Sequence, residues 1–301
     1  MRIRNVKPPE ISFEPAVAIG FNKAFTEAIM TDSITAALEF LRPTPDRPFT
    51  YMYPPQDGRP WQNAVYERVP VAIHDARGAA SSLDREGYEL RHAPSAVDDF
   101  MNKEQVIQRY YPEMAELALA ISGASRALVF DHLVRRRQPG SPQAFGRIDG
   151  HRPGAAGRVH CDFTPASARR RLELELGERT AGVARYGIIN LWRSIRHPVL
   201  DAPLALCDAR SVDPADLVAS DIFYPDRQGE IYQAMHSAAH RWSYFPAMTR
   251  DEVLVFKQFD SAPVASYTPH AAFEHPATPA GAPPRESIEI RCLLIYEGDA
   301  R

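Results

Sequence analysis

His160-Cys161-Asp162 sets an imidazole and a carboxylate two residues apart. Read as the end of a strand, that spacing turns both side chains to the same side. His270, far downstream in Thr268-Pro269-His270, completes a set of two histidines and one carboxylate. Such a facial set holds Fe(II) while leaving adjacent coordination positions open for a cosubstrate and oxygen. Local spacing joins only His160 and Asp162; the fold must deliver His270. His-x-Asp alone is a weak pattern in a chain with ten histidines, and a lone histidine after a proline also reads as an ordinary loop residue. His236 and His240 are competing ligands at i, i+4 spacing, but Tyr232, Trp242 and Tyr244 give their segment the character of strand and turn.

A second stretch, Pro284-Arg285-Glu286-Ser287-Ile288-Glu289-Ile290-Arg291, follows His270. Strand alternation places Arg285, Ser287, Glu289 and Arg291 on one face and Ile288, Ile290 and Cys292 on the other. A cationic face inside a barrel demands an anion, and a carboxylate matches the guanidinium fork. The dicarboxylate 2-oxoglutarate supplies one, its keto acid end on iron and its distal carboxylate on Arg285 and Ser287. The competing reading is structural, with Glu289 neutralising Arg291 within the sheet. Asn190, Trp192 and Ser194 alternate on another strand face, offering an amide and an aromatic wall to cosubstrate or substrate, although a strand tryptophan also serves as core. Arg193 and Arg196 could meet an acidic substrate or be solvated. The triplets Arg135-Arg136-Arg137 and Arg169-Arg170-Arg171 read as solvated faces. No phosphate loop, GxSxG elbow or HExxH occurs.

The elements that must position these groups read as mainly β with helical additions. Thr31-Asp32-Ser33 before Ile34, Ala37, Leu38 and Leu41 predicts a helix ending at Pro43. A proline-rich connector runs to Pro60. Val69 to Ile73 reads as a strand, Gly78 to Arg85 as a short helix, and Lys103 to Leu119 as a longer helix bent near Pro112. Arg135 to Gly157, rich in Gly, Pro and Arg, reads as a lid-like loop ahead of His160. Thr164 and Pro165 make a helix start, an N-cap followed by an N1 proline, for a helix through Leu176. Strand signals dominate after it: Tyr186 to Trp192, Leu204 to Cys207, His240 to Phe245, Val253 to Phe259 and Ser287 to Tyr296. Short strands without βαβ alternation point to a jelly-roll, not a doubly wound sheet.

The 301 residues, 45% hydrophobic with net charge −3, suit one large core and provide no field for nucleic acid or an anionic membrane. No apolar run approaches the roughly 20 residues that span a bilayer, and the N-terminus lacks a secretory apolar block, so a cytoplasmic protein is expected. Cys161, Cys207 and Cys292 form no CxxC and read as small buried residues. The expected organisation is one domain over 1–301, with an α+β extension at 1–126, helical at its start, packed on a core at 127–301. A homodimer is compatible with the sequence, but no heptad or apolar stripe marks its interface.

Six ordered blocks carry a family likeness: Val159 to Asp162, Ile188 to Arg193, Pro203 to Asp208, Asp251 to Lys257, Pro269 to Phe273 and Pro284 to Arg291. With Tyr110 to Glu113 and Phe130 to His132, they resemble the asaB-type hydroxylase/desaturase family from about Val71 onward. The resemblance implies a nonhaem dioxygenase on a double-stranded β-helix (jelly-roll, cupin-like) that uses Fe(II), 2-oxoglutarate and O2 in specialised metabolism. It implies His160, Asp162 and His270 as iron ligands and Arg285 with Ser287 as the Arg-x-Ser pair for 2-oxoglutarate. Further contacts are expected from Asn190 and Arg291 to the cosubstrate and from Trp192 and Arg193 to a small-molecule substrate. Ser194 stands where the family usually has proline after Trp-Arg. Two other classes share the residues: a Zn2+ hydrolase or lyase at the same site, and a cupin-like protein that binds an organic anion without catalysis.

Overall fold

The computed structural model describes residues 33–56, 58–137, 156–262 and 267–297. Elements are numbered in chain order. The first part contains β1 (Ser33–Leu41), β2 (Phe49–Tyr51), β3 (Tyr66–Asp75) and β4 (Tyr88–His92). A continuous helical segment follows, formed by α1 (Lys103–Gln105), a π turn (Val106–Tyr110) and α2 (Tyr111–Ser122). Next come β5 (Arg126–Arg136), β6 (His160–Cys161), α3 (Pro165–Leu176), β7 (Arg185–Ser194) and β8 (Leu204–Cys207). The last strands are β9 (Leu217–Phe223), β10 (Gln228–Ala234), β11 (Trp242–Tyr244), β12 (Glu252–Asp260), β13 (His270–Ala272) and β14 (Glu286–Tyr296).

These strands make the two sheets of a double-stranded β-helix, a jelly-roll. The larger has nine strands in the order β1-β3-β11-β8-β13-β6-β10-β9-β2, and the smaller has five, β4-β12-β7-β14-β5. Pairing is antiparallel except between β11 and β3 and between β2 and β9. Alternation sorts the side chains. Trp192, Leu204, Leu206, Leu254 and Phe256 fill the space between the sheets, while Ile189, Leu191, Val253, Val255, Ile288 and Ile290 face outward beneath α2. The helix covers them with Val106, Tyr110, Met114 and Ala118. Its predicted irregularity is present as the π turn immediately before Tyr111 and Pro112.

The helix predicted at Thr31 to Leu41 is instead β1, as far as the described residues reach. Ala36, Leu38 and Phe40 are buried at a period of two, with Leu41 also buried at the strand's end, and the strand pairs with β3 along its whole length. Because the segment is apolar at many positions, it satisfies both periods, and the available sheet edge decides between them. Gly78 to Arg85 forms turns, not a helix; the Glu86 carboxylate accepts from the Ser82 N–H and draws the chain back on itself. The expected helical N-terminal extension is therefore mostly strand: β1, β2 and β3 lengthen the larger sheet and β4 edges the smaller one. The lid-like reading of Arg135 to Gly157 falls largely outside the described residues.

Helix α3 starts as its sequence dictates. The Thr164 hydroxyl accepts from the Ser167 N–H, Ser167 returns a bond to the Thr164 N–H, and Pro165 opens the first turn. This start lies two residues after Asp162. Ala168, Leu172 and Leu176 then anchor the helix against Tyr186, Ile188, Phe259 and Leu293.

Candidate metal centre

β6 and β13 are neighbours, and His160 stands directly opposite His270 in their antiparallel register. Their rings lie 4.3 Å apart between centroids. The His160 Nδ1 lies 2.8 Å from the Arg158 carbonyl and the His270 Nδ1 3.2 Å from the Thr268 carbonyl. A carbonyl only accepts, so each Nδ1 carries the proton and each Nε2 presents its lone pair. The His160 Nε2 is 3.5 Å from Asp162 Oδ1. One ligand atom from each of His160, Asp162 and His270 lies within 4.8 Å of the others, the cluster of this kind found among the described residues. Burial, with His160 alongside, pushes the His270 imidazole down to about 3, so this ring is neutral and able to ligate near neutral pH. Two imidazoles and one carboxylate fit Fe(II) in number, kind and arrangement.

Asp162 is fixed from three directions. Its N–H donates to Gln258 Oε1 at 2.7 Å. Its Oδ2 accepts from Asn190 Nδ2 at 2.9 Å and from Arg291 Nε at 3.0 Å. Burial opposes charge on this carboxylate, but Arg291 and His160 outweigh it and hold the group well below the usual range. Arg291 also reaches Asp131 at 2.9 Å and Glu289 at 3.1 Å; three carboxylates more than offset its burial and push the guanidinium further up. Asn190 and Arg291 sit opposite each other on β7 and β14. Their hydrogen bonds go to the carboxylate that would ligate the metal, where the sequence suggested contact with the cosubstrate. The Asn190 Oδ1 is buried and finds no partner among the described residues.

Arg285 and Ser287 precede Arg291 on the same face. Arg285 is 4% exposed, donates through Nη1 to the Ala202 carbonyl, and lies over the Trp192 ring at 5.5 Å. Its Nε and the Ser287 hydroxyl are buried without a partner among the described residues. Burial and the like charges of Arg135 and Arg137 push the guanidinium down to about 9, with only Glu289 acting in its favour. A buried guanidinium and hydroxyl that both lack an anion form a receptor for one. Trp192 packs between the sheets beside this arginine, where it can wall the cosubstrate end.

Two readings of the arginines are corrected. Arg193 points away from the site: it donates to the Ala93 and Arg250 carbonyls and packs on Tyr110 at 5.0 Å. Alternation on β7 sends 193 outward when 190 and 192 face in. Arg135 is not part of a solvated face; it lies opposite Ser287 on β5, half-buried, where burial pushes its guanidinium down and Glu289 partly offsets that. His240 is held by Asp216 at 3.0 Å, outside the metal cluster. The sequence reading passed over Gln258, a fully buried amide on β12 between the charged residues Lys257 and Asp260. It also passed over Phe256, whose ring meets His270 edge-on at 4.8 Å.

A family model described as an oxidoreductase/YMDC permease-like domain matches residues 38–295. The chain is 30% identical over 300 residues to a hydroxylase/desaturase, efuI, of Hormonema carpetanum, covering 92% of this chain and 99% of that protein. It is 31% identical to the Fe(II)/2-oxoglutarate-dependent dioxygenase nvfI of Aspergillus novofumigatus, covering 81% and 90%. The chain belongs to the hydroxylase/desaturase family of nonhaem Fe(II)- and 2-oxoglutarate-dependent dioxygenases. The same fold is seen in the solved structure of the iron and alpha-ketoglutarate-dependent endoperoxidase NvfI, with a TM-score of 0.80 and 27% identity over 89% of this chain and 99% of that one. Membership in this family brings Fe(II), 2-oxoglutarate and O2 as cofactor and cosubstrates. No helix among the described residues is long and apolar enough to cross a membrane.

Proposed function

We propose that His160, Asp162 and His270 hold Fe(II), that Arg285 and Ser287 hold the distal carboxylate of 2-oxoglutarate, and that the enzyme oxidises a small specialised metabolite by hydroxylation, desaturation or ring formation. One observation carries this assignment. A buried His-Asp-His cluster shares an interior with a buried guanidinium and a hydroxyl that lack an anionic partner. When bound, the iron supplies oxygen activation coupled to oxidative decarboxylation of 2-oxoglutarate to succinate.

The chain's own residues do the rest. The carbonyls of Arg158 and Thr268 keep the two imidazoles in the tautomer that ligates through Nε2. Asn190 and Arg291 occupy Oδ2 of Asp162, leaving Oδ1 for the metal and fixing the plane of the carboxylate. Arg285 and Ser287 align the cosubstrate, and Trp192 with Phe256 keeps that end apolar and dry.

The proposal takes 1–301 as one catalytic domain, cytoplasmic, with no nucleic-acid or membrane partner. The small net charge supports the last point, and a homodimer remains compatible with it. Anaerobic addition of Fe(II) and 2-oxoglutarate should give a weak visible charge-transfer band, and turnover in air should release succinate. Folded protein that gives neither, and is isolated with zinc, would be the hydrolytic enzyme instead.

A further inference from the structure

A cavity of about 170 Å3 opens beside Asp162 and Arg291, between α3, β5 and the β9–β10 hairpin. One side of its wall is apolar, formed by Phe130, Phe163, Leu174, Ile222 and Tyr224, and the other is polar, with Ser167, Gln228 and several charged side chains. Leu174 is 66% exposed, although a helix facing only solvent gains nothing from a leucine there. Asp162 in the lining places any occupant next to the proposed iron site.

The charges around this cavity are unbalanced in one direction. Its carboxylates other than Asp162 are engaged: Glu230 with Arg47 and the Thr164 hydroxyl, and Asp131 with Arg291 at 2.9 Å. Of its arginines, Arg291 is fully engaged with three carboxylates, and the others are less committed. Arg171 meets Glu175 at 3.1 Å, yet its Nε is buried without a hydrogen-bond partner among the described residues. Arg227 lies over the Tyr224 ring at 3.9 Å, and neither it nor Arg170 meets a carboxylate within ion-pair distance among the described residues. Two exposed guanidinium groups without a carboxylate partner among the described residues, beside a partly aromatic wall, match a molecule that joins an apolar body to a carboxylate.

We infer that the substrate class is an apolar carboxylic acid, its hydrocarbon body enclosed by Phe130, Phe163, Leu174 and Tyr224 and its carboxylate held at the cavity mouth by Arg170 and Arg227. This inference rests on the proposed iron site, because the cavity matters to oxidation only if Asp162 ligates the metal. The volume is below the roughly 300 Å3 of a drug-sized pocket. The enclosed part of the substrate is therefore small, and a larger molecule leaves its remainder in solvent.

The test is anaerobic calorimetric titration of protein loaded with Fe(II) and saturating 2-oxoglutarate, using 2-naphthoate and its neutral counterpart 2-naphthylmethanol. The acid should bind about tenfold tighter than the alcohol or better. Combining Arg170→Gln with Arg227→Gln, both exposed positions, should bring the two affinities within about twofold while the visible Fe(II)/2-oxoglutarate band is unchanged. Equal binding of acid and alcohol by the parent protein overturns the inference, as does a preference that survives the double substitution. A band without acid preference removes the substrate class and leaves the iron site standing. Acid preference without a band keeps the anion site and removes the oxygenase reading.

Discussion

The chain from Arg285 to the middle of β14 carries the same side chain twice in opposite circumstances. Arg291 meets three carboxylates, Asp162, Asp131 and Glu289, whereas Arg285, six residues earlier on the same face, meets a backbone carbonyl and an indole ring. Burial disfavours charge at both. At Arg291 the protein itself supplies the compensation, so the guanidinium belongs to the scaffold and orients Asp162, the proposed metal ligand. At Arg285 compensation is missing, and the like charges of Arg135 and Arg137 deepen the deficit. A satisfied buried charge marks architecture; an unsatisfied one marks a place where a ligand completes the structure.

The comparison breaks most completely at the carboxylate that Arg291 holds. Asp162→Ala removes one of the three proposed ligands, and iron binding and turnover should be lost together, checked by metal analysis and succinate release. If Asp162→Ala retained iron, the scaffold role of Arg291 would have no object. Next in size is Arg285→Ala. Truncating one member of a buried charged pair costs about 2–5 kcal/mol, so the KM for 2-oxoglutarate should rise by about 30-fold or more with iron affinity little changed. Arg285→Lys separates charge from shape: if the bidentate fork matters, lysine rescues only part of the loss.

Arg291→Met should show the reverse pattern. Loss of an outer partner of a metal ligand costs about 10- to 100-fold in metal affinity, and the KM for 2-oxoglutarate should move less. The pH dependence gives a second readout. In the parent protein Arg291 and His160 hold the Asp162 carboxyl well below its ordinary value despite burial, so it is ionised throughout the neutral range. Without the guanidinium, burial is less opposed and the carboxyl titrates higher. Iron affinity of Arg291→Met should then fall as pH is lowered below neutrality, while the parent's dependence on this group stays flat until a lower pH. Parallel profiles for the two proteins would separate Arg291 from the charge state of Asp162.

Much of this contrast was legible before any coordinates, because strand alternation is local: Arg285, Ser287, Glu289 and Arg291 share a face whatever the fold around them. His160 and Asp162 are likewise joined by spacing alone. The pairing of β6 with β13 that sets His270 opposite His160 is a long-range event with no local signature beyond the family blocks. The Asp162 bonds of Asn190 and Arg291 were hidden for the same reason, as was the burial of Arg135, which sits in a basic triplet whose neighbour Arg136 is exposed. β1 was misread because its apolar residues fit two periods at once, and only the β3 edge chooses between them.

Ser287→Ala is the smallest and most discriminating change. The hydroxyl is 1% exposed and has no partner among the described residues. In the ligand-free protein alanine removes a buried polar atom whose desolvation is uncompensated, which should leave stability unchanged or raise it by up to about 1 kcal/mol. With 2-oxoglutarate present the same substitution deletes a hydrogen bond to a charged carboxylate, worth about 1.5–3 kcal/mol, so the KM should rise about 10- to 100-fold. The opposed signs are the point: a serine that merely fills the sheet would lose stability on truncation and leave the KM alone. Thermal melts on Ser287→Ala and the parent read the stability, and succinate release at varied 2-oxoglutarate reads the KM. A variant with lower intrinsic stability and an unshifted KM would place Ser287 with the satisfied end of β14, and the division between the two arginines would have to be redrawn around Arg285 alone.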